Sequence, residues 1–221
     1  MGERWTGLFT KRPQAGRVKT RLFGALEPEE AARFQEAMLA DAVERLRAGA
    51  HDERPVLAYA PPHEAPWFET RFDDLTLVPQ LGEGLAERMA GFFERAADGR
   101  RTVVMTGSDQ PLVTRGLTRA AHEALEAGAD VVLGPDLGGG YYLVGLRRPV
   151  AALFREVEMS VAGMYAATLA VLGRERLRVH ELEPCPDVDT PDDLERLKHE
   201  LARRTDLEHV EHVRRFLASE G

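Results

Sequence analysis

The sequence predicts an α/β fold, a three-layer α/β/α arrangement around a mixed, mostly parallel, Rossmann-like sheet with helices collected at the C-terminal end. Three observations predict it. Short β-branched or aromatic runs bounded by turn residues recur seven times. Stretches of helical periodicity separate the first five of them, as right-handed parallel crossovers require. The link from Leu133 to Tyr141 is instead a glycine-rich turn, too short for a parallel crossover.

The strand runs, in order, are Trp5 to Thr10, Pro55 to Ala60, Leu75 to Val78, Thr102 to Thr106, Asp130 to Leu133, Tyr141 to Leu146 and Leu177 to Leu182. Tyr141 to Leu146 is expected to be antiparallel or separately placed, because of its short link. Helices are expected over Pro28 to Ala48, Glu64 to Phe72, Leu85 to Ala97 and Thr114 to Ala127. The first opens with a proline in its first turn and with Glu29 and Glu30 at the positive end of the helix dipole. Beyond Ser160 the pattern is mainly helical: Val161 to Leu172, Thr190 to Ala202 and Asp206 to Ala218. Thr190, Pro191, Asp192 and Asp193 read as an N-cap, a first-turn proline and two first-turn acids.

The chain has 221 residues and a mass of 24.5 kDa. Surface scaling gives a folded area of roughly 10,000 Å², with about 70% of the extended chain's surface buried. One domain over 1–221 is expected, with a helical appendage from about 190. A single cysteine, Cys185, excludes a disulfide scaffold. The absence of a long apolar run speaks against a membrane span, and the N-terminal stretch lacks a signal-type apolar core, so a cytoplasmic protein is expected. The net charge of −8 argues against a nucleic-acid partner. Its distribution is uneven. From Arg4 to Leu26 there are six basic residues and no acid, leaving −14 for the remainder. Two of the three lysines, Lys11 and Lys19, fall in that basic stretch, and an ammonium suits a phosphate as a point charge.

Ligands of open parallel sheets bind beyond the carboxyl ends of the strands, which directs attention to three loops. Thr10 to Leu22, TKRPQAGRVKTRL, combines turn-forming Pro13 and Gly16 with Lys11, Lys19, Thr20 and Arg21, a set able to wrap a di- or triphosphate. It is not a Walker A loop, because Val18 stands where the glycine before the lysine belongs. Thr106 to Leu112, TGSDQPL, places Ser108 and Asp109 at a strand end, where Asp109 can hold a hard divalent cation and where either residue can simply cap the next helix. Gly134 to Tyr142, GPDLGGGYY, carries three successive glycines, which suit either close approach to a ligand or a loose turn. Asp187 and Asp189 offer further carboxylates, although helix capping explains them equally well. His209 and His212 read as an exposed helix face and Cys185 as an incidental thiol; Trp5 and Trp67 read as core or rim residues.

In order, K-x-P-x-x-G-x-V-K-T-R-L, G-S-D-x-P-L, G-P followed by G-G-Y-Y-L-x-G-L, and D-V-D-T-P-x-D-L resemble the nucleotide-diphospho-sugar transferase superfamily with the GT-A fold. Among its members the chain is most similar to the bacterial glycosyltransferase-like family called radical-SAM/selenodomain-associated transferase 1. It is more distantly similar to the 2-phospho-L-lactate and molybdenum-cofactor guanylyltransferases. The resemblance spans Leu8 to Leu194 and includes Gln80 to Met89. It implies that Leu8, Phe9 and Thr10 border the base and ribose, and that Gln80, Gly82 and Ser108 lie on the nucleotide side. Lys11, Gly16, Lys19, Thr20 and Arg21 would hold phosphates. Asp109 and Asp189 would bind Mg²⁺ or Mn²⁺, with Lys19, Arg21 and Asp109 as the catalytic set. Asp136, Gly139, Gly140 and Tyr141 would line an acceptor pocket.

The chain departs from the pattern where the family more often has Asp-Gly-Gly-Tyr, since Gly138 replaces the acid and Asp136 is the nearby carboxylate able to stand in for it. Gly84 and Ala86 replace an Asp and a Gly, and Met159-Ser160-Val161 replaces Trp-Ser-Thr. The implied activity is metal-dependent transfer from a nucleoside diphosphate sugar to a small-molecule acceptor. Two alternatives stay open: nucleotidyl transfer with release of pyrophosphate, as in the guanylyltransferases, and nucleotide binding without catalysis.

Overall fold

The computed structural model describes residues 2–161, 163–205 and 207–219. Seven strands form one sheet: β1 (Glu3–Lys11), β2 (Arg54–Ala60), β3 (Thr76–Pro79), β4 (Arg101–Gly107), β5 (Val131–Pro135), β6 (Tyr141–Leu146) and β7 (Val179–Glu181). Their order is β3-β2-β1-β4-β6-β5-β7. β6 runs antiparallel to both β4 and β5, while every other pairing is parallel. The expected mixed sheet is therefore present, and the glycine-rich link makes β5 and β6 a hairpin. The hairpin's return strand, rather than β5, lies beside β4.

Among the described residues, eight α-helices cover the sheet: α1 (Pro28–Gly49), α2 (Ala65–Arg71), α3 (Leu85–Ala96), α4 (Arg115–Glu126), α5 (Ala151–Arg155), α6 (Met164–Arg174), α7 (Pro191–Arg203) and α8 (Glu211–Ser219). The five-residue α5 lacks a side-chain cap and escapes the periodicity argument. Ala162 and Asp206, inside the expected last helical spans, lie outside the described residues. α1 starts where proline and acids predict, and Glu27 and Glu30 close it with a reciprocal capping box.

Two large cores flank the sheet. On one face Phe34, Met38 and Leu125 pack with Val104, and Leu194, Leu197, Leu201, Val213 and Phe216 of α7 and α8 join the same cluster. On the other face Phe92, Phe93 and Phe154 pack over Val103 and Val144. The C-terminal helices thus complete a core layer instead of trailing from it. Asp41 of α1 explains how α8 is held: its two oxygens accept the backbone N–H groups of His212 at 3.0 Å and Val213 at 2.9 Å. The accessible area of 10818 Å² agrees with the size-based expectation.

Candidate functional site

At the carboxyl end of β1 and β4 the sheet opens into a cleft of about 740 Å³. β1 contributes Phe9, Thr10 and Lys11, and the loop after it contributes Arg21. Ser108, Asp109 and Gln110 follow β4. The β5–β6 hairpin presents Asp136, Gly138, Gly140 and Tyr141, and Asp187 and Asp189 enter from the segment after β7. Consecutive side chains of a strand point to opposite faces. Leu8 is consequently turned away from its neighbour Phe9 and lies 1% exposed in a core cluster with Leu39 and Leu57, so it does not border the cleft.

Lys19 joins three loops. Its Nζ donates to Val188 O at 2.7 Å and Asp189 Oδ1 at 2.9 Å, and stands 3.3 Å from Asp109 Oδ1. The side chain is 3% exposed, against 44% for Asp109 and 37% for Asp189. Burial works against its charge, but the two carboxylates, Asp109 foremost, outweigh that and raise its pKa. The backbone of Lys19 adopts a left-handed conformation, φ 49°, at the head of a short 3₁₀ turn, Thr20–Leu22. A non-glycine residue holds that conformation only where its surroundings fix it, as the buried ammonium does here. Lys19 is thus not an open phosphate donor in this structure. Arg21, 74% exposed and 3.7 Å from Asp189 Oδ2, is a cation of the same loop that lines the cleft.

Gly16 and Thr20 are exposed and lie off the cleft wall, as does Gly82. Gly16 and Gly82 serve as turn residues, with φ of 74° and 127°. Gln80 is fixed by bonds from its Nε2 to Thr10 O at 3.1 Å and Ala58 O at 2.7 Å, and its side chain lies on the cleft floor. Thr10 Oγ1 and Gln35 Nε2 both donate to Ser108 Oγ, at 3.3 and 3.1 Å.

The capping explanations for the acids do not hold. Thr114 caps the helix after β4, its hydroxyl accepting from Leu117 N, so Ser108 and Asp109 are free of that task. α7 is capped by Thr190 with Asp193, whose Oδ2 accepts from Thr190 N at 2.8 Å and Asp189 N at 3.1 Å. The carboxylates of Asp187 and Asp189 are left to face the cleft. Burial, followed by the charges of Asp189, Asp136 and Asp193, pushes Asp187 up to about 6.

Two of the three successive glycines have a local cause. Gly140 N donates to Asp136 Oδ1 at 2.7 Å, and a Cβ on Gly140 would lie 2.6 Å from Asp136 Oδ2. Gly139 requires φ +90°, and its carbonyl accepts from Tyr165 N at 2.8 Å, which holds it off the cleft wall. Gly138 meets nothing closer than 3.5 Å, so neither contact nor conformation forces a glycine there. Tyr141 lines the cleft with its hydroxyl 3.4 Å from Met159 Sδ, and burial raises its pKa.

Residue types alone did not single out Gln35, Arg88 or Gln110, which also line the cleft. Gln110 Oε1 is a buried acceptor with no partner among the described residues, a state only packing reveals. Away from the cleft, Asp41, Glu44 and His212 bring ligand atoms within 4.8 Å of one another. Both oxygens of Asp41 accept backbone N–H groups and His212 Nε2 lies 3.0 Å from Glu44, which accounts for this cluster as the clamp on α8. His212 is therefore tied to α1 and not simply part of a solvated face. No helix among the described residues is long and apolar enough to cross a membrane.

Sheet order and loop placement are those of a transferase-type α/β enzyme of the nucleotide-diphospho-sugar transferase superfamily. Over 99% of this chain and 96% of the other, the fold superposes on a crystal structure described as a nucleotide-diphospho-sugar transferase from Desulfovibrio desulfuricans G20, with a TM-score of 0.88 and 28% identity. A family model described as "Uncharacterized protein conserved in bacteria (DUF2064)" matches residues 42–161, and the chain belongs to that family. It is 35% identical over 178 residues, 80% of this chain and 77% of the relative, to the 2-phospho-L-lactate guanylyltransferase of Haloarcula marismortui. The fold alone is shared with Rv0371c of Mycobacterium tuberculosis H37Rv, solved with manganese, at a TM-score of 0.52, 19% identity and coverage of 89% and 98%.

Proposed function

We propose that this protein transfers a nucleotidyl group from a nucleoside triphosphate to a small acceptor, with a divalent metal held by Asp109 and Asp189. The observation that carries the reading is the convergence of both carboxylates on one cation, Lys19 Nζ, at the cleft. Two hard oxygen donors on neighbouring loops suit Mg²⁺ or Mn²⁺. When bound, the metal supplies neutralisation of phosphate charge in the transition state. Lys11 and Arg21, which line the cleft from the β1 side, would bind phosphate oxygens, and Lys19 would hold Asp109 and Asp189 in position from beneath. Thr10, Gln80 and Ser108 hold the nucleoside through the polar floor. The acceptor atom bonds to the α-phosphorus as the bond from that phosphorus to the α–β bridging oxygen breaks; pyrophosphate leaves, and a hydroxyl or amine acceptor gives up its proton to solvent.

The name of the haloarchaeal relative supports nucleotidyl transfer over transfer of a sugar. Glycosyl transfer from a nucleoside diphosphate sugar is the second reading, supported by the description of the Desulfovibrio structure. Thermal shift with GTP, CTP, UTP, ATP and their diphosphate sugars, with and without Mn²⁺, tests both. A triphosphate is expected to raise Tm by several degrees only with Mn²⁺, and Asp109→Asn to remove that dependence. Release of pyrophosphate, assayed with hydroxyl, amine and phosphate-ester acceptors including 2-phospho-L-lactate, identifies the first reading. Stabilisation by diphosphate sugars alone identifies the second, and stabilisation by no nucleotide refutes both.

A further inference from the structure

The loop after β1 is pinned at both ends. At its far end Lys19 is held by Asp189 and by the Val188 carbonyl. At its near end a single carboxylate uses both of its oxygens: Glu64 Oε2 accepts from Arg12 Nη1 at 2.9 Å, and Glu64 Oε1 accepts from Gln14 Nε2 at 3.2 Å. Gln14 passes the constraint on, its carbonyl accepting from Arg17 N at 3.0 Å. The guanidinium of Arg12 also lies 5.7 Å from the centre of the Trp67 ring, within cation–π range.

Glu64 ends the short 3₁₀ turn Pro62–Glu64 between β2 and α2. Although it stands at the N-cap of α2, its side chain makes no capping bond, and it is only 13% exposed. Its base is rigid, because Phe68 of α2 is fully buried and stacks on Tyr59 of β2 with ring centres 4.8 Å apart. Glu64, Arg12 and Gln14 do not line the cleft, whereas Arg21 and Lys11, the residue directly before Arg12, do. A largely buried carboxylate that gives both oxygens to one loop, 50 and 52 positions away in sequence, fixes the loop rather than a ligand.

We infer that Glu64 is a positioning residue for the triphosphate: through Arg12 and Gln14 it holds the loop in the course that brings Lys11 and Arg21 to the cleft. The inference rests on the proposed function, in which those two cations bind phosphate oxygens. Arg12, despite its charge and its place in the loop, is an anchor and not a phosphate ligand. A loop ordered in advance spares the bound state the entropy of immobilising its side chains, and affinity rises accordingly.

Calorimetric titration of the full chain with GTP, CTP, UTP and ATP in Mn²⁺, at a temperature where circular dichroism shows each variant folded, tests it. Glu64→Ala is expected to weaken every triphosphate that binds by about tenfold, the effect of re-ordering one or two long side chains, whichever base is carried. Glu64→Gln, which keeps an oxygen for Arg12 and offers an amide to Gln14, should recover most of that loss. Arg12→Ala should weaken binding as Glu64→Ala does, and the double variant no further than either alone. Without nucleotide, hydrogen exchange over residues 14–19 should quicken in Glu64→Ala while the β-sheet amides stay protected. The inference is overturned by unchanged affinity in Glu64→Ala, or by raised affinity, which would mean that the freed Arg12 binds phosphate. Losses that multiply in the double variant would make Arg12 a direct ligand and overturn it too, as would a loss confined to one base or unaltered exchange in the loop. Arg12→Ala leaves the Pro62–Glu64 turn intact and decides the matter if Glu64→Ala does not fold. A wild type that binds none of the four triphosphates refutes the proposed function and this role together, whereas wild-type binding that Glu64→Ala leaves intact refutes the role of Glu64 alone.

Discussion

Lys19 Nζ lies 2.9 Å from Asp189 Oδ1 across 170 positions of sequence. The same ammonium stands 3.3 Å from Asp109, and its side chain is the buried member of the trio. A buried charge stripped of its partners is strongly destabilising, whereas replacing the whole group by neutral residues often is not. The double variant Asp109→Asn/Asp189→Asn is therefore expected to lose roughly 3 kcal/mol, and adding Lys19→Met to recover most of it. Urea midpoints of the three proteins check this; a double variant as stable as wild type would contradict the assigned pairing.

Gly140 and Gly138 separate contact from sequence appearance. Gly140→Ala sets a methyl against Asp136 Oδ2 at 2.6 Å and is expected to destabilise by roughly 1–3 kcal/mol. Gly138→Ala meets only an ordinary contact at 3.5 Å and should stay within about 0.5 kcal/mol of wild type. Equal effects in thermal unfolding would show that the hairpin, and not the carboxylate, selects glycine at 140.

Asp41 holds the start of α8 through two backbone N–H groups. Removing that acceptor leaves buried donors unpaired, so Asp41→Ala should cost about 2 kcal/mol. Hydrogen exchange should locate the loss in Glu211–Ser219, with the β-sheet amides still protected. Uniform loss of protection would show that α8 does not open separately.

His122 is buried between the hydroxyls of Thr6, 2.9 Å from Nε2, and Thr102, 2.7 Å from Nδ1. Burial foremost, with the charge of Arg4, lowers its pKa to about 4 from 6.5. Between those values the unfolded chain holds a proton that the folded chain refuses. The contribution of His122 is thus complete above pH 6.5 and fades as the pH falls through 4, by roughly 3 kcal/mol in all. Denaturant unfolding at pH 7, 5.5 and 4.5 should follow this slope, and His122→Leu, although less stable at pH 7, should flatten it. An unchanged slope in the variant would assign the dependence to other groups.

All seven strands lie where β-branched and aromatic runs and their bounding turn residues place them, because both signals are local. The short link excluded a parallel crossover to Tyr141–Leu146, since the five residues between Pro135 and Tyr141 cannot span one, and pairing with β4 and β5 made the strand antiparallel. Charge and residue type selected Lys19 and Asp109, strand ends located their loops, and Asp189 was singled out only by the family resemblance. Tertiary structure decided what residue types leave open. Packing buried Lys19, expected to hold phosphates, beneath Asp109 and Asp189, turned Leu8 into the core, and left Thr190 and Asp193 to cap α7 while Asp187 and Asp189 face the cleft. It also drew α8 onto Asp41, 171 and 172 positions earlier in the chain than the N–H groups it accepts. Such partners meet only once the sheet order is fixed, and no periodicity within a short window encodes a contact made across the whole fold.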